Sequence, residues 1–349
     1  MSRRTTEISR RAFLATSVAA VGGCATSQHT VVHEPPDPPG PLFILDLHQH
    51  TNYLGRTDEQ LIAHQRNMGV AYTILLPAGS PAERPVTHMG KSNGLAAKCF
   101  GNESCLRLMV DYPESFGFFA NETPDLESAT TVLEEYLERG ALGIGEQKFN
   151  VDVESPAMAR VYDVAKAYGV PVLMHFQHGT YNHGYDRFWR VLRRWPTVNF
   201  IAHAQTTWVN VSANPDQTVL YPKTRVTPGG ITDRYLRDYA NFYADVSAGS
   251  GLGALLRDEE HARGFLKVHQ DKVLFGTDCA DVPGKAPVCQ GANTITAIKR
   301  LGISAEIREK MFYESAAKLI GGGCGVGRAA VVERERARRK AGSPGGTQD

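Results

Sequence analysis

Apolar blocks of four to six residues recur along the chain from Leu42 to Phe275, each separated from the next by segments of helical period. Eight can be counted: 42–47, 71–76, 116–120, 141–145, 171–174, 199–202, 241–246 and 272–275. Short continuous apolar runs are what strands buried on both faces look like, and their alternation with helices is the pattern of βαβ units around a parallel sheet. Eight units over about 280 residues fit a closed (β/α)8 TIM barrel better than an open doubly wound sheet. The fold class expected is therefore α/β, one barrel domain over 42–325. Helices are expected at 58–68, 125–139 (Leu126, Ala129, Val132, Leu133 and Tyr136 on one face, Gly140 as stop), 157–168, 185–195 and 253–269. Two connections, 78–113 and 206–235, are long enough to be excursions over an active site.

The ends of the chain read differently. Residues 1–30 carry Arg3, Arg4, Arg10 and Arg11 before an apolar stretch, 12–21, too short to span a bilayer, which is the form of a signal peptide. Ser9-Arg10-Arg11-Ala12-Phe13-Leu14 resembles a twin-arginine export signal. Val21-Gly22-Gly23-Cys24 resembles a lipobox, so the expected location is periplasmic, either free or lipid-anchored at Cys24. Five prolines within 31–41 make a stiff linker. The stretch 326–349 reads as a frayed polar helix with a disordered end. Export would expose the cysteines to oxidation, so Cys99–Cys105 and Cys279–Cys289 are expected as disulfides with Cys324 left over, the alternative being unpaired thiols. Lys plus Arg total 38 against 37 Asp plus Glu. That balance leaves no field for nucleic acid, and the only membrane contact expected is the lipid anchor. The expected partner is a small-molecule substrate; a second copy, as a homodimer, is the other candidate.

The chemistry is carried where the apolar blocks stop. Block one ends in Asp46-Leu47-His48-Gln49-His50, and a separation of two puts both imidazoles on one side of a strand. Block five runs into His175, block six into His203, and block eight through Gly276 and Thr277 into Asp278. Barrel sites collect at the carboxyl ends of strands, so five ligand-type groups would meet at one rim. Five unrelated buried polar groups would each need their own partner, at about 1–3 kcal/mol wherever one failed.

HxH after strand one, single His residues after strands five and six, and Asp after strand eight resemble the amidohydrolase superfamily, and within it the amidohydrolase-related (amidohydrolase 2) family. The resemblance runs from Phe43 to about Gly321 through LDLHQH, GIGEQKF, VLMHFQHG, NFIAHAQ, NFYADVSAG, LFGTDCAD and FYESAAKLI. It implies metal ligation by His48, His50, His175 and Asp278, with His203 a ligand or a group steering substrate and water. Asp278 and His203 are the implied catalytic pair. On strand four, Glu146 and Lys148 share a face; Glu146 sits where a bridging glutamate would, and Lys148 would pair with substrate or a carboxylate. The open alternatives are a salt bridge between these neighbours or a rim carboxylate. His178 at the rim, and Lys223 and Arg225 in the long excursion, are candidate substrate contacts; Gln177, His183, Gln205 and Asp245 are further rim residues. The cofactor implied is a divalent metal, one ion or two, with zinc ranked ahead of Mn, Fe or Co.

The activity that follows is an exported metal-dependent hydrolase of an amide, ester or lactone. The alternative within the family is a decarboxylase or hydratase of an unsaturated carboxylic acid. A non-catalytic surface binding protein ranks last, because Asp278 and His203 are both present.

Overall fold

The structure is a computed structural model and describes residues 42–78, 99–321 and 328–342. The export signal, the lipobox, the proline-rich linker, Cys324 and the end 343–349 lie outside the described residues. No helix among the described residues is long and apolar enough to cross a membrane.

All eight expected strands are present: β1 Ile44–Gln49, β2 Val70–Leu75, β3 Phe116–Phe118, β4 Ile144–Gln147, β5 Val172–His175, β6 Phe200–His203, β7 Phe242–Asp245 and β8 Val273–Leu274. Neighbours pair in parallel from β1 to β3 and from β4 to β8. A parallel bridge between Ala120 and Ile144 joins the two sheets. The cylinder closes where Leu47 N–H donates to Phe275 O (3.1 Å) and Asp278 N–H to His48 O (2.8 Å). Leu45, Ile74, Phe119, Leu142, Leu173, Ile201 and Leu274, with contributions from nearly every strand, form one apolar cluster that Ala316 and Ile320 join. A larger cluster, which includes Val172, Phe200, Phe242, Val161 and Leu192, packs strands against helices. Burying each such side chain contributes roughly 1.5–3 kcal/mol.

Helix Asp58–Met68 has its expected bounds, because Thr57 and Gln60 form a capping box and Gly69 takes the left-handed stop. The single helix expected over 253–269 is two, Ala248–Leu256 and Glu259–Val268. Asp258 interrupts it: its carboxylate accepts from His261 N–H and starts a new helix there. The helix expected from Asp125 begins at Ala129.

One expectation is extended and one is corrected. The polar tail forms a helix over Arg328–Gly342, and that helix packs. Val332 is buried, and Glu335 pairs with Arg139 at 3.1 Å. Cys99, Cys105, Cys279 and Cys289 are free thiols. Cys279 and Cys289 approach to 3.7 Å between sulfurs, well beyond the 2.05 Å of a bond.

Candidate metal centre

Each strand end delivers its side chain to the same mouth. His48 and His50 from β1 have ring centroids 5.3 Å apart; His203 lies 4.2 Å from His48 and 5.1 Å from His175. Glu146 of β4 stands between two histidine pairs. Its Oε2 faces His50 Nε2 (3.5 Å) and His48 Nε2 (3.7 Å), while its Oε1 faces His175 Nδ1 (2.5 Å) and His203 Nε2 (3.8 Å). Asp278 completes the ring, with Oδ1 3.4 Å from His50 Nε2 and Oδ2 3.7 Å from His203 Nε2. These ligand atoms fall into overlapping groups in which all members lie within 4.8 Å of one another: His48, His50 and Glu146; His48, His203 and Asp278; Glu146, His175 and His203.

The far nitrogens of three imidazoles are already committed. His50 Nδ1–H donates to Leu76 O and His48 Nδ1–H to Asp245 Oδ2, both at 2.7 Å. His203 Nδ1–H donates to Ser247 Oγ (2.8 Å), whose hydroxyl donates on to Asp245 Oδ2 (3.0 Å). Each partner is an acceptor or passes its proton to one, so the Nε2 lone pairs point into the ring, as ligating histidines require. Among the described residues, His48 Nε2, His203 Nε2 and Asp278 Oδ1 are buried and have no hydrogen-bond partner. Leaving such atoms unpaired costs about 1–3 kcal/mol each. A divalent cation in the ring would satisfy His48 Nε2 and Asp278 Oδ1, and a water or substrate group beside it would meet His203 Nε2, so the donor set fits a metal.

The electrostatics agree. Burial alone would depress His48, yet the Asp278 and Asp245 carboxylates outweigh it and raise its pKa well above the ordinary value. Burial would raise Asp278, but the His48 and His50 imidazoles hold it below the usual carboxylate range. Burial, reinforced by His48, lowers His203 to about 3. The carboxylates around His48 favour positive charge there, which is what a cation in the ring would supply.

Second contacts fix this ring in place. Asp46 accepts from His48 N–H (3.0 Å), Thr277 N–H (2.9 Å), Thr277 Oγ–H (2.6 Å) and Gln65 Nε2 (2.7 Å). Gly276 keeps the interior of the ring tight: a Cβ there would stand 2.7 Å from Asp245 Oδ1 and 2.8 Å from His48 Cβ. Asp278 itself has φ +48°, a left-handed backbone that costs about 1–3 kcal/mol and persists only where its surroundings enforce it.

The outer candidates divide. Lys148 is half-buried, with Nζ 5.4 Å over the Tyr181 ring. His178, Gln177 and His183 line a cleft of about 540 Å³ with Tyr181 and Asn210. Gln177 also bonds His175 Nε2 at 3.2 Å, so this cleft opens beside the histidine ring. Both nitrogens of His175 therefore have protein partners, which sets it apart from the other three histidines. Gln205 donates to the Tyr221 hydroxyl (2.8 Å). Arg225 is exposed and holds Glu260 (2.7 Å) and Asp258 (3.3 Å). Lys223 lines a separate small pocket with Trp208, Tyr221 and Arg257.

Sequence reasoning missed two contributors and the full role of a third. Tyr53 packs 5.0 Å from His50, and the Asp278 carboxylate raises its pKa; it lies in the turn after β1, where no periodicity marks it. Asp46 reads as part of an apolar strand. Asp245 was visible as another acid at a strand end, but its hold on two histidines was not, because Ser247 relays one of the contacts.

Comparison with known proteins bears on this geometry. The sequence model of the amidohydrolase family matches residues 45–322. No curated protein matches the chain significantly in sequence. Among solved structures, an uncharacterised TIM-barrel protein from Bordetella bronchiseptica aligns with a TM-score of 0.54 at 15% identity, over 81% of this chain and 99% of that one. A probable 2-pyrone-4,6-dicarboxylic acid hydrolase from Acinetobacter baumannii, solved with citric acid, aligns at 0.51 and 11% identity, over 80% and 99%. A 2,6-dihydroxybenzoate decarboxylase aligns at 0.50 and 13% identity, also over 80% and 99%. These similarities concern the fold.

Proposed function

The chain belongs to the amidohydrolase family, and from that premise we propose that it is a metal-dependent hydrolase adding water to an amide, ester or lactone carbonyl of a small molecule. The observation that carries this reading is the set of inward-facing atoms without partners among the described residues, His48 Nε2, His203 Nε2 and Asp278 Oδ1. His48, His50, Asp278 and Glu146 would hold the ion. Zinc is the first choice for three or four nitrogen and oxygen donors, with Mn, Fe and Co suited as well. When bound, such an ion polarises a carbonyl and brings the pKa of a bound water toward about 7.

The protein's own groups then have defined tasks. Asp278, ionised at neutral pH, accepts a proton at its carboxylate during attack. His203 stays neutral, and its Nε2 offers a lone pair to a water or a substrate hydroxyl because Ser247 occupies Nδ1. Lys148, which has no ion pair among the described residues, stands at the rim where it would hold a substrate carboxylate.

Lys148 also supports a second reading, decarboxylation or hydration of an unsaturated acid, since a carboxylate would be anchored in either case. The folds of a probable pyrone-dicarboxylate hydrolase and of a dihydroxybenzoate decarboxylase lend each reading a precedent of substrate type. Metal analysis of the purified chain, followed by a panel of esters, lactones and aromatic acids, separates them. Bond hydrolysis supports the first reading; CO2 release, or loss of a conjugated chromophore without hydrolysis, replaces it with the second. A chain that takes up no ion in the ring ends both. We further propose twin-arginine export to the periplasm, with lipidation at Cys24 decided by mass analysis of the mature N-terminus.

A further inference from the structure

Behind β8, away from the histidine ring, a second group of donors converges. His64 of helix Asp58–Met68, Cys279 and Asp281 of the loop after β8, and Cys289 at the start of helix Gln290–Arg300 place one ligand atom each within 4.8 Å of all the others. The resolved edges are Cys279 Sγ to Cys289 Sγ 3.7 Å, Cys289 Sγ to His64 Nε2 3.5 Å, and His64 Nε2 to Asp281 Oδ2 3.2 Å. A tetrahedron whose centre lies about 2.3 Å from sulfur and 2.0–2.1 Å from nitrogen and oxygen has edges of about 3.3–3.8 Å. The spacing is that of ligands around a missing centre.

The remaining atoms of each group are satisfied in the way a ligand needs. His64 Nδ1 bonds Gln65 Oε1 (3.3 Å), leaving Nε2 to face the cluster. Asp281 Oδ1 accepts from Gly284 N–H (2.9 Å), leaving Oδ2 inward. Cys279 Sγ accepts from Gly291 N–H (2.9 Å) and Cys289 Sγ from Ala292 N–H (3.4 Å), contacts that favour thiolates at the start of an eleven-residue helix. Gly291 permits this approach, since a Cβ there would lie 3.0 Å from Cys279 Sγ and 2.6 Å from Thr277. Two thiolates and a carboxylate around a divalent ion leave one negative charge, and the buried Arg56 guanidinium, bonded to Asp281 O at 2.9 Å, faces the cluster to balance it. Three of the four side chains are buried, and Asp281 is 16% exposed, so an ion has a way in.

We propose that His64, Cys279, Asp281 and Cys289 bind one structural divalent ion of the zinc type, distinct from any ion in the histidine ring. Cys279 follows Asp278 directly, so this ion ties the loop that presents Asp278 to helices on either side. The claim does not depend on the hydrolase reading.

The test uses the full chain, reduced and held without oxygen, with Co2+ as the probe. Tetrahedral thiolate ligation gives a sulfur-to-cobalt charge-transfer band in the near ultraviolet together with intense visible bands. These bands should appear in the native chain and survive His48→Ala and Asp278→Asn, which disable the ring alone. They should vanish in a Cys279→Ser/Cys289→Ser double variant. Asp281→Asn, at a partly exposed position where the fold is undisturbed, should weaken Co2+ binding by tenfold or more. The equivalent of zinc that the cysteine variant loses should remain bound in the ring variants, which give up only what the ring holds. Absence of the thiolate band in the reduced, folded chain overturns the proposal, as does a Cys279–Cys289 disulfide in the untreated chain.

Discussion

The histidine ring and the charge cluster around Arg139 both bury ionisable side chains, and they resolve that burial in opposite ways. Arg139 is met on every side: Glu335 at 3.1 Å, Glu135 at 3.1 Å, Glu103 at 3.2 Å, and the Tyr136 ring 4.9 Å from its guanidinium carbon. Its charge is met within the protein, and the Glu335 pair holds the C-terminal helix against the barrel. In the ring, by contrast, His48 Nε2, His203 Nε2 and Asp278 Oδ1 face a common point with no hydrogen-bond partner among the described residues. Closed networks mark structure; networks left open toward a common point mark a place for something else.

Substitutions can break this contrast. Asp278→Asn keeps the size of the side chain and removes its basicity, so turnover should fall by about 10²–10⁴-fold while the circular dichroism spectrum is unchanged. Asp245→Asn should weaken metal retention by roughly 10–100-fold in a chelator competition, because it releases the orientation of His48 and His203 together. Loss of stability without loss of metal affinity would make Asp245 a core residue only.

Acid sharpens the same contrast. His203 is lowered to about 3 in the folded chain against about 6.5 unfolded, so between these values the unfolded chain binds the extra proton. Its contribution to stability is therefore present above about pH 6.5 and lost as pH falls toward 3. Urea unfolding of the ion-free protein should show His203→Asn losing less stability between pH 7 and 4.5 than the native chain does, by on the order of 2 kcal/mol. Glu335→Ala should have the smallest effect. Arg139 keeps Glu103 and Glu135, so about 1–3 kcal/mol of stability is lost in a thermal melt and turnover is untouched.

How far the sequence could be read depends on the range of the contacts. Strand ends were legible because each apolar run passes directly into its polar residue, as Val172–Met174 passes into His175. Helix Asp58–Met68 was legible because its caps are local. Distant partners decided the rest. Nothing near Arg225 in sequence announces Asp258 and Glu260, and nothing near Asp258 announces that it caps a new helix. The tail was legible as a polar helix, but its packing was not: Val332 and Glu335, three positions apart, share the face that meets the barrel. The cysteine pair was noticed for its spacing, but the meaning of that spacing changed once His64 and Asp281 were found beside it.

Asp46 has a consequence for how the chain reaches its working state. One carboxylate grips the first strand at His48 and the last at Thr277, residues separated by most of the polypeptide. Until those two segments meet, His48 and Asp278 belong to unconnected neighbourhoods. Sealing the cylinder and creating affinity for a cation are thus a single event, so the uptake of an ion by a refolding chain times the moment at which its ends come together.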